Sequence, residues 1–163
     1  MDNVRAHRFL LQTAVTKATT YTQPPANQGL SQFRELIITL AITAAERDSA
    51  DETYDFHITT ASDINAASWD LCHFPQVLTT GVKTFVARLR SDLLPQQVST
   101  ATPGVAAVES GTLTVYAGAT HAVGSLAAGL VRHGPWGDKI GYILTIAGTV
   151  VTGIAYSISV EAR

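Results

Sequence analysis

The sequence predicts an all-β fold, an antiparallel β-sandwich or jelly-roll-like domain with an extended N-terminal arm. Apolar and polar residues alternate with a period of two, short turn segments separate these runs, and almost no stretch has the 3.6-residue period of a helix. The runs are enough for roughly seven or eight strands. With 163 residues, the chain has the size of one domain with one hydrophobic core.

Residues 1–30 predict the arm. They are rich in Thr and Gln, include Pro24-Pro25 near their end, and show no sustained hydrophobic period. We expect them to be poorly ordered until they contact a neighbouring molecule. The chain therefore divides into an arm, residues 1–30, and a β-sandwich domain, residues 31–163.

The strands after the arm follow from period two, as in Leu36, Ile38 and Leu40 or in Tyr54, Phe56 and Ile58, whose intervening residues face the other way. Turn signals separate them, such as the charged segment 46–52 and the segment between Pro75 and Gly81. The predicted strands are residues 36–42, 54–59, 69–74, 84–90, 112–116 and a segment near 126–132.

The C-terminal stretch from Ile140 to Val160 contains no charged residue and has about the length that crosses a bilayer. A membrane helix is therefore one interpretation. The alternation on both sides of the segment Gly148–Gly153 favours the other, a β-hairpin whose turn contains those glycines.

Composition and charge exclude several classes of function. The chain is 46% hydrophobic and 15% charged, with eleven Lys and Arg against thirteen Asp and Glu and a net charge of −2. This balance offers no excess charge for a phosphate backbone or an anionic membrane, so we expect neither nucleic acid nor membrane as a partner. The single cysteine, Cys72, excludes an internal disulfide. The apolar run Phe9–Leu11 is too short for a signal peptide, which predicts synthesis in a cytoplasm without export.

The histidines do not predict a metal site, because no two of the five have a close ligand spacing. His57 and His73 could approach each other across paired strands, but a solvent-facing strand histidine is the commoner case. The pair Cys72-His73 is the one adjacent nucleophile and base. Neighbouring strand residues point to opposite faces, which favours Cys72 as a small buried hydrophobe. The other histidines are His7, His121 and His133.

Two further groups have a structural and a functional interpretation. The carboxylates of residues 46–55 suit a solvated turn, with calcium as the alternative, although EF-hand spacing is absent. Five aromatic residues suit a core, with a sugar-stacking shelf as the alternative. They are Trp69, Tyr116, Trp136, Tyr142 and Tyr156. We therefore assign no catalytic, cofactor-binding or metal-binding residue, expect no cofactor, and predict that the protein is not an enzyme.

The order of features from Asp51 onward resembles small structural proteins of tailed bacteriophages, particularly capsid decoration or cement proteins. The residues that carry the resemblance are Asp51–Thr60, then Trp69–Phe74, then Leu126–Ile140 with its Gly137-Asp138 turn, and the closing strand Ile154–Val160. Residues 91–125 are longer and richer in Ala and Gly than that pattern, and residues 1–30 lie outside it.

The resemblance implies a non-catalytic virion protein that is synthesised in the host cytoplasm, binds the lattice of the major capsid protein and stabilises the shell. It also implies a homotrimer. The low charge between Thr100 and Gly129 fits such an assembly, because a neighbouring subunit would cover this segment. The alternative function is a carbohydrate-binding or tail-associated phage β-module.

Overall fold

The chain folds into two antiparallel sheets packed face to face, which confirms the predicted all-β sandwich. The computed structural model describes residues 6–61, 68–91, 98–102, 105–108, 126–133 and 136–163. The strands in these ranges are β1 (His7–Lys17), β2 (Tyr21–Asn27), β3 (Glu35–Ala45), β4 (Thr53–Ala61), β5 (Ser68–His73), β6 (Lys83–Arg90), β7 (Val98–Thr102), β8 (Val105–Val108), β9 (Leu130–Arg132), β10 (Lys139–Ala147) and β11 (Ile154–Ala162). A single 3-10 turn, Leu30–Gln32, is the helical element of the described residues.

The strand order winds the chain repeatedly from one sheet to the other. The four-stranded sheet has the order β1-β11-β3-β6, and the seven-stranded sheet the order β2-β10-β4-β5-β9-β7-β8. The connections 18–20, 46–52, 74–82 and 148–153 each pass between the sheets. The strand registers place all four at one end of the sandwich, which we call the loop end.

The alternation predicted for the central strands is confirmed by burial. In β3, Leu36, Ile38, Leu40 and Ile42 are fully buried, and in β4 the same holds for Tyr54, Phe56 and Ile58. In β6, Phe85, Ala87 and Leu89 face the core. Both sheets contribute such side chains to one hydrophobic cluster, in agreement with the single core predicted from the length of the chain.

The interpretation of residues 140–160 is correct for the strands and wrong for their pairing. The turn at 148–153 does separate two strands, but β10 pairs with β2 and β4, whereas β11 pairs with β1 and β3. The segment therefore crosses between the sheets and is not a hairpin. Both strands are central in their sheets, and central strands are covered on both sides, which accounts for the long apolar run. Across the described ranges, no helix has the length and apolar character needed to cross a membrane.

The arm predicted for residues 1–30 is not confirmed, because the structure places β1 and β2 within it. β1 pairs with β11 at the edge of the four-stranded sheet, and β2 pairs with β10 at the edge of the other sheet. Leu11 is the one buried residue of the two strands. Edge strands with so little burial do not show period two clearly, and Pro24-Pro25 is tolerated because an edge strand needs hydrogen bonds on one side.

The predicted strand 112–116 lies outside the described residues, and the segment near 126–132 contains the short strand β9.

Substituting Gly141 tests the contact that attaches β2. An added Cβ would lie 2.3 Å from the Gln23 carbonyl oxygen and 2.7 Å from the Pro25 nitrogen. Both atoms belong to the backbone of β2, which therefore has to move. We expect Gly141→Ala to lower the free energy of unfolding by about 1–3 kcal/mol and to speed limited proteolysis between residues 18 and 34. Thr145→Ala, at an exposed position of the same strand, is the control, and equal protease resistance in all three proteins would contradict the prediction.

Candidate functional site

A group of polar side chains that bind one another lies on the outer face of the seven-stranded sheet. His57 of β4 and His73 of β5 are direct partners in the strand register. Their neighbours Phe56, Ile58 and Cys72 face the core, so both imidazoles point outward. The ring centroids lie 3.7 Å apart with an interplanar angle of 27°. The expected approach of the two histidines across paired strands is confirmed.

Each histidine has an aspartate partner. His57 Nδ1 lies 2.9 Å from Asp70 Oδ2, and His73 Nε2 lies 3.3 Å from Asp55 Oδ1. Gln76 donates a hydrogen bond to the second oxygen of Asp55, at 2.7 Å. We call His57, His73, Asp55 and Asp70 the outer-face cluster. Each imidazole of the stacked pair therefore has a carboxylate within hydrogen-bond distance.

The outer-face cluster also holds the backbone of Leu126. His73 Nδ1 donates to the Leu126 carbonyl oxygen at 2.7 Å, and the Leu126 N–H donates to Asp70 Oδ2 at 2.9 Å. Leu126 is 5% exposed. Both backbone polar groups of one buried residue are therefore satisfied by side chains of β5, which is a structural task for the cluster.

The cluster is poorly arranged for metal binding. Both ring nitrogens of His73 face oxygen atoms, and so does Nδ1 of His57. The described ranges hold no group of three or more His, Cys, Asp or Glu side chains that could bind a metal ion. Among the remaining histidines, His7 stacks on Phe33, and His133 accepts a hydrogen bond from the backbone of Arg90. His121 lies outside the described residues.

Cys72 is a buried hydrophobe, as the sequence predicts. It is fully buried in the hydrophobic cluster, on the face opposite to His73. Burial, with a smaller effect of Asp70, raises the pKa of the Cys72 thiol well above its ordinary value. A raised pKa disfavours the thiolate, which is the nucleophilic form of cysteine.

The prediction of a solvated turn is wrong for two carboxylates of the acidic segment 46–55. Glu46 is 7% exposed and Glu52 is fully buried. Glu46 accepts hydrogen bonds from the backbone of Val151 and Gly153, and Glu52 accepts one from the backbone of Ser49. Asp51 is exposed and accepts from Thr149. These carboxylates hold the turns of the loop end together.

The aromatic residues that could form a sugar-stacking shelf lie mainly in the core. Trp136 is 5% exposed and donates its indole N–H to the Leu30 carbonyl oxygen. The Tyr142 and Tyr156 hydroxyls lie 3.0 Å apart between the sheets, and Tyr142 donates to Gln12. Burial is the main cause that raises the pKa of both tyrosines. Trp69 is half-buried, and Tyr116 lies outside the described residues.

The comparisons with known proteins return nothing. No protein-family model, curated protein or solved structure matches the chain.

Replacing Asp70 tests the structural task of the outer-face cluster. Asp70→Ala removes the acceptor of the buried Leu126 N–H, and an unsatisfied buried donor costs about 1–3 kcal/mol. We expect a loss of that size in urea unfolding, and a smaller one for Asp70→Asn, whose carbonyl oxygen can still accept. Gln76→Ala is the matched control because its bond to Asp55 is exposed. If Asp70→Ala and Gln76→Ala unfold alike, the cluster does not hold Leu126.

Proposed function

We propose that the protein is a non-catalytic structural protein of a virion that binds the assembled capsid surface and stabilises the shell. The observation that carries the proposal is the strand order. The order β1-β11-β3-β6 faces the order β2-β10-β4-β5, and the chain crosses repeatedly between them, four times at the loop end. This winding supports a jelly roll, a topology that is frequent in viral capsid proteins and lectins. The resemblance to capsid decoration proteins of tailed bacteriophages and the implied homotrimer belong to the same proposal.

The chemistry of the described residues supports a binding role over a catalytic one. The polar atoms of the outer-face cluster form hydrogen bonds with the backbone of Leu126 and with one another. Cys72 is buried, and the carboxylates Glu46 and Glu52 hold turns. A nucleophile, a base and an orienting third group do not converge at any of these places.

The loop end is the surface that we assign to the capsid. Four large hydrophobic side chains are exposed in the described ranges, and three of them lie there: Val82, Val151 and Leu78 are 78%, 77% and 47% exposed. Hydrogen bonds stabilise the loops that carry these side chains. Glu46 binds the backbone of Val151, and Lys83 donates to the carbonyl oxygens of Thr79 and Thr80. Apolar side chains on preorganised loops lose little entropy when they bind, and repetition on a lattice adds avidity.

Cosedimentation with matching capsids tests the proposal. We expect saturable binding at a fixed ratio to the major capsid protein and a higher temperature for heat release of the genome. The double variant Val82→Asp/Val151→Asp should weaken binding by about tenfold or more. Ala26→Asp/Asn27→Asp is the matched control because it adds the same charge at exposed positions near the far end of β2.

Two outcomes would overturn the proposal. One is the absence of binding to capsids together with retention on a glycan array, which would favour the carbohydrate-binding alternative. The other is capsid binding that the control pair weakens as much as the loop-end pair, which would remove the loop end as the contact.

A further inference from the structure

The outer face of the four-stranded sheet has a largely uncharged centre, where β11 and β3 present small side chains. Its outward positions in β11 are Ala155, Ser157 and Ser159, which alternate with fully or almost fully buried residues. The neighbouring positions in β3 are Thr39 and Ala41. Such a surface lets another backbone approach closely, without charges that would have to be desolvated.

The charges of this face are confined to one end and are already paired. Arg8 lies 2.8 Å from Glu161, and Arg163 lies 2.6 Å from the same carboxylate. Arg88 contacts Glu35 at 3.0 Å. A partner therefore meets paired charges at one end of the face and an uncharged centre, and charged residues are depleted at the core of protein–protein interfaces.

An exposed leucine and a groove lie side by side on this face. Leu10 is 59% exposed and pairs with Ser159 in the strand register, so it points outward with Ser159. The groove has a volume of about 340 Å³. It is lined by Ala14, Val15, Thr16, Thr43, Ala155, Tyr156 and Ser157. Register shifts in β1 between Gln12 and Val15, and in the β11–β3 pair at Ala155, accompany it.

We infer that this face packs on the same face of a second copy of the chain, with Leu10 of each copy in the groove of the other. Ser157 and Ala155 precede Ser159 in β11 by two and four residues, so the groove lies roughly 7–13 Å from Leu10. A two-fold axis midway between the leucine and the groove exchanges them. Each copy then supplies one protrusion and one cavity, which is the self-complementarity of an isologous interface.

The size of the face fits a stable contact. Strands lie about 4.8 Å apart and rise about 3.3 Å per residue, so four strands of roughly nine residues give a flat footprint of about 550 Å². Side-chain relief and the groove walls raise the accessible area towards the roughly 800 Å² per partner of a standard interface. In such a pair, Leu10 of each copy meets the groove of the other, and the uncharged centres of the two faces meet each other.

This contact does not use the surface that we assign to the capsid, because the loop end lies at the ends of the strands and not on their outer face. The homotrimer is what the resemblance to decoration proteins implies. Self-association through Leu10 gives particles of two copies, or of six where the three-fold assembly also forms.

Sedimentation of the full chain across micromolar concentrations tests the inference. We expect even-numbered particles, and we expect Leu10→Asp to weaken the two-fold association by about tenfold or more. Ala155→Leu, which fills the groove from inside, should do the same. Val82→Asp is the matched control because it places the same charge at an exposed apolar position of the loop end. Circular dichroism spectra that match the parent confirm that each variant is folded.

A mixing experiment identifies the residues in contact. Leu10→Cys protein and Ser157→Cys protein, one of them tagged, should form a disulfide-linked heterodimer more readily than either forms a homodimer. A protein that stays monomeric or trimeric at all concentrations would overturn the inference. So would self-association that Leu10→Asp leaves unchanged. Neither result bears on capsid binding, which the loop-end variants test.

Discussion

Replacing Gly153 with alanine is expected to lower the free energy of unfolding by about 2–6 kcal/mol. Gly153 has a φ of +85°, a conformation that side chains disfavour. An added Cβ would also lie 2.0 Å from the Lys17 carbonyl oxygen and 2.7 Å from Ala18 Cα. Both are backbone atoms where β1 ends, so a side-chain rotation cannot relieve the overlap. The substitution therefore strains the turn and pushes β1 away from β11.

Gly81→Ala separates the two causes. Gly81 has a φ of +96°, but nothing lies within 4 Å of its added Cβ. It carries the conformational cost alone, which is about 1–3 kcal/mol. Urea unfolding of both variants measures the difference, and we expect Gly153→Ala to lose clearly more. Equal losses would mean that the end of β1 does not close on the turn at 148–153.

Period two identified the strands whose two faces differ in burial. β3, β4 and β6 each place apolar side chains inward and mostly smaller or polar ones outward, so the pattern is visible in the residues themselves. The pattern does not identify the partner of a strand. β10 and β11 follow each other through a short turn, but each completes a different sheet, because that choice depends on contacts with distant strands.

The edge strands could not be predicted from hydrophobic periodicity. β1 buries Leu11 alone, and the rest of the strand is half-buried or exposed. Its position depends on backbone pairing with β11 and on close contacts such as that of Gly153 with Lys17. Backbone hydrogen bonds are available to any sequence, so a segment that joins a sheet mainly through them leaves little trace in its residue types.

The outer-face cluster was predictable in part. The closeness of His57 and His73 follows from the antiparallel pairing of β4 and β5. The position of Asp70 does not follow from this pairing, because strict alternation would place Asp70 on the same face of the sheet as Cys72. A register shift between Ile58 and Thr59 inserts an extra residue into β5 and turns Asp70 to the outer face. A one-residue bulge of this kind has no clear sign in a single sequence.

The acidic segment illustrates the same limit. Charged residues between two strands are usually solvated, and Asp48 and Asp51 are exposed. Glu46 differs because the turn at 148–153 folds over it and supplies backbone N–H groups. The donors are about a hundred residues away in sequence, so residue types near Glu46 cannot indicate them.

Replacing Glu46 is the second substitution from which we expect a large effect. Its carboxylate accepts hydrogen bonds from the backbone of Val151 at 3.0 Å and of Gly153 at 2.6 Å, and from the Thr152 hydroxyl at 2.9 Å. Glu46→Ala leaves these donors without their acceptor, and we expect the melting midpoint at neutral pH to fall by about 5–10 °C. Glu46→Gln keeps one acceptor oxygen and should lose less. Asp51→Ala is the control, since its bonds to Thr149 are long and exposed.

The same carboxylate makes stability depend on pH with a definite sign. The Gly153 N–H is the largest cause that holds the pKa of Glu46 below its ordinary value of 4.5, assisted by Val151 and Thr152 and opposed by burial. A carboxyl whose pKa is lower in the folded state stabilises the fold above its unfolded pKa and loses this contribution as the pH falls through the folded value. The melting difference between the parent and Glu46→Gln should therefore be full near neutral pH and shrink below about pH 4.5. Glu161 and Asp138 also have a lowered pKa, but both proteins retain them, so they cancel in this difference. A difference that stays constant from neutral pH to well below 4 would show that the charge of Glu46 does not hold the turn.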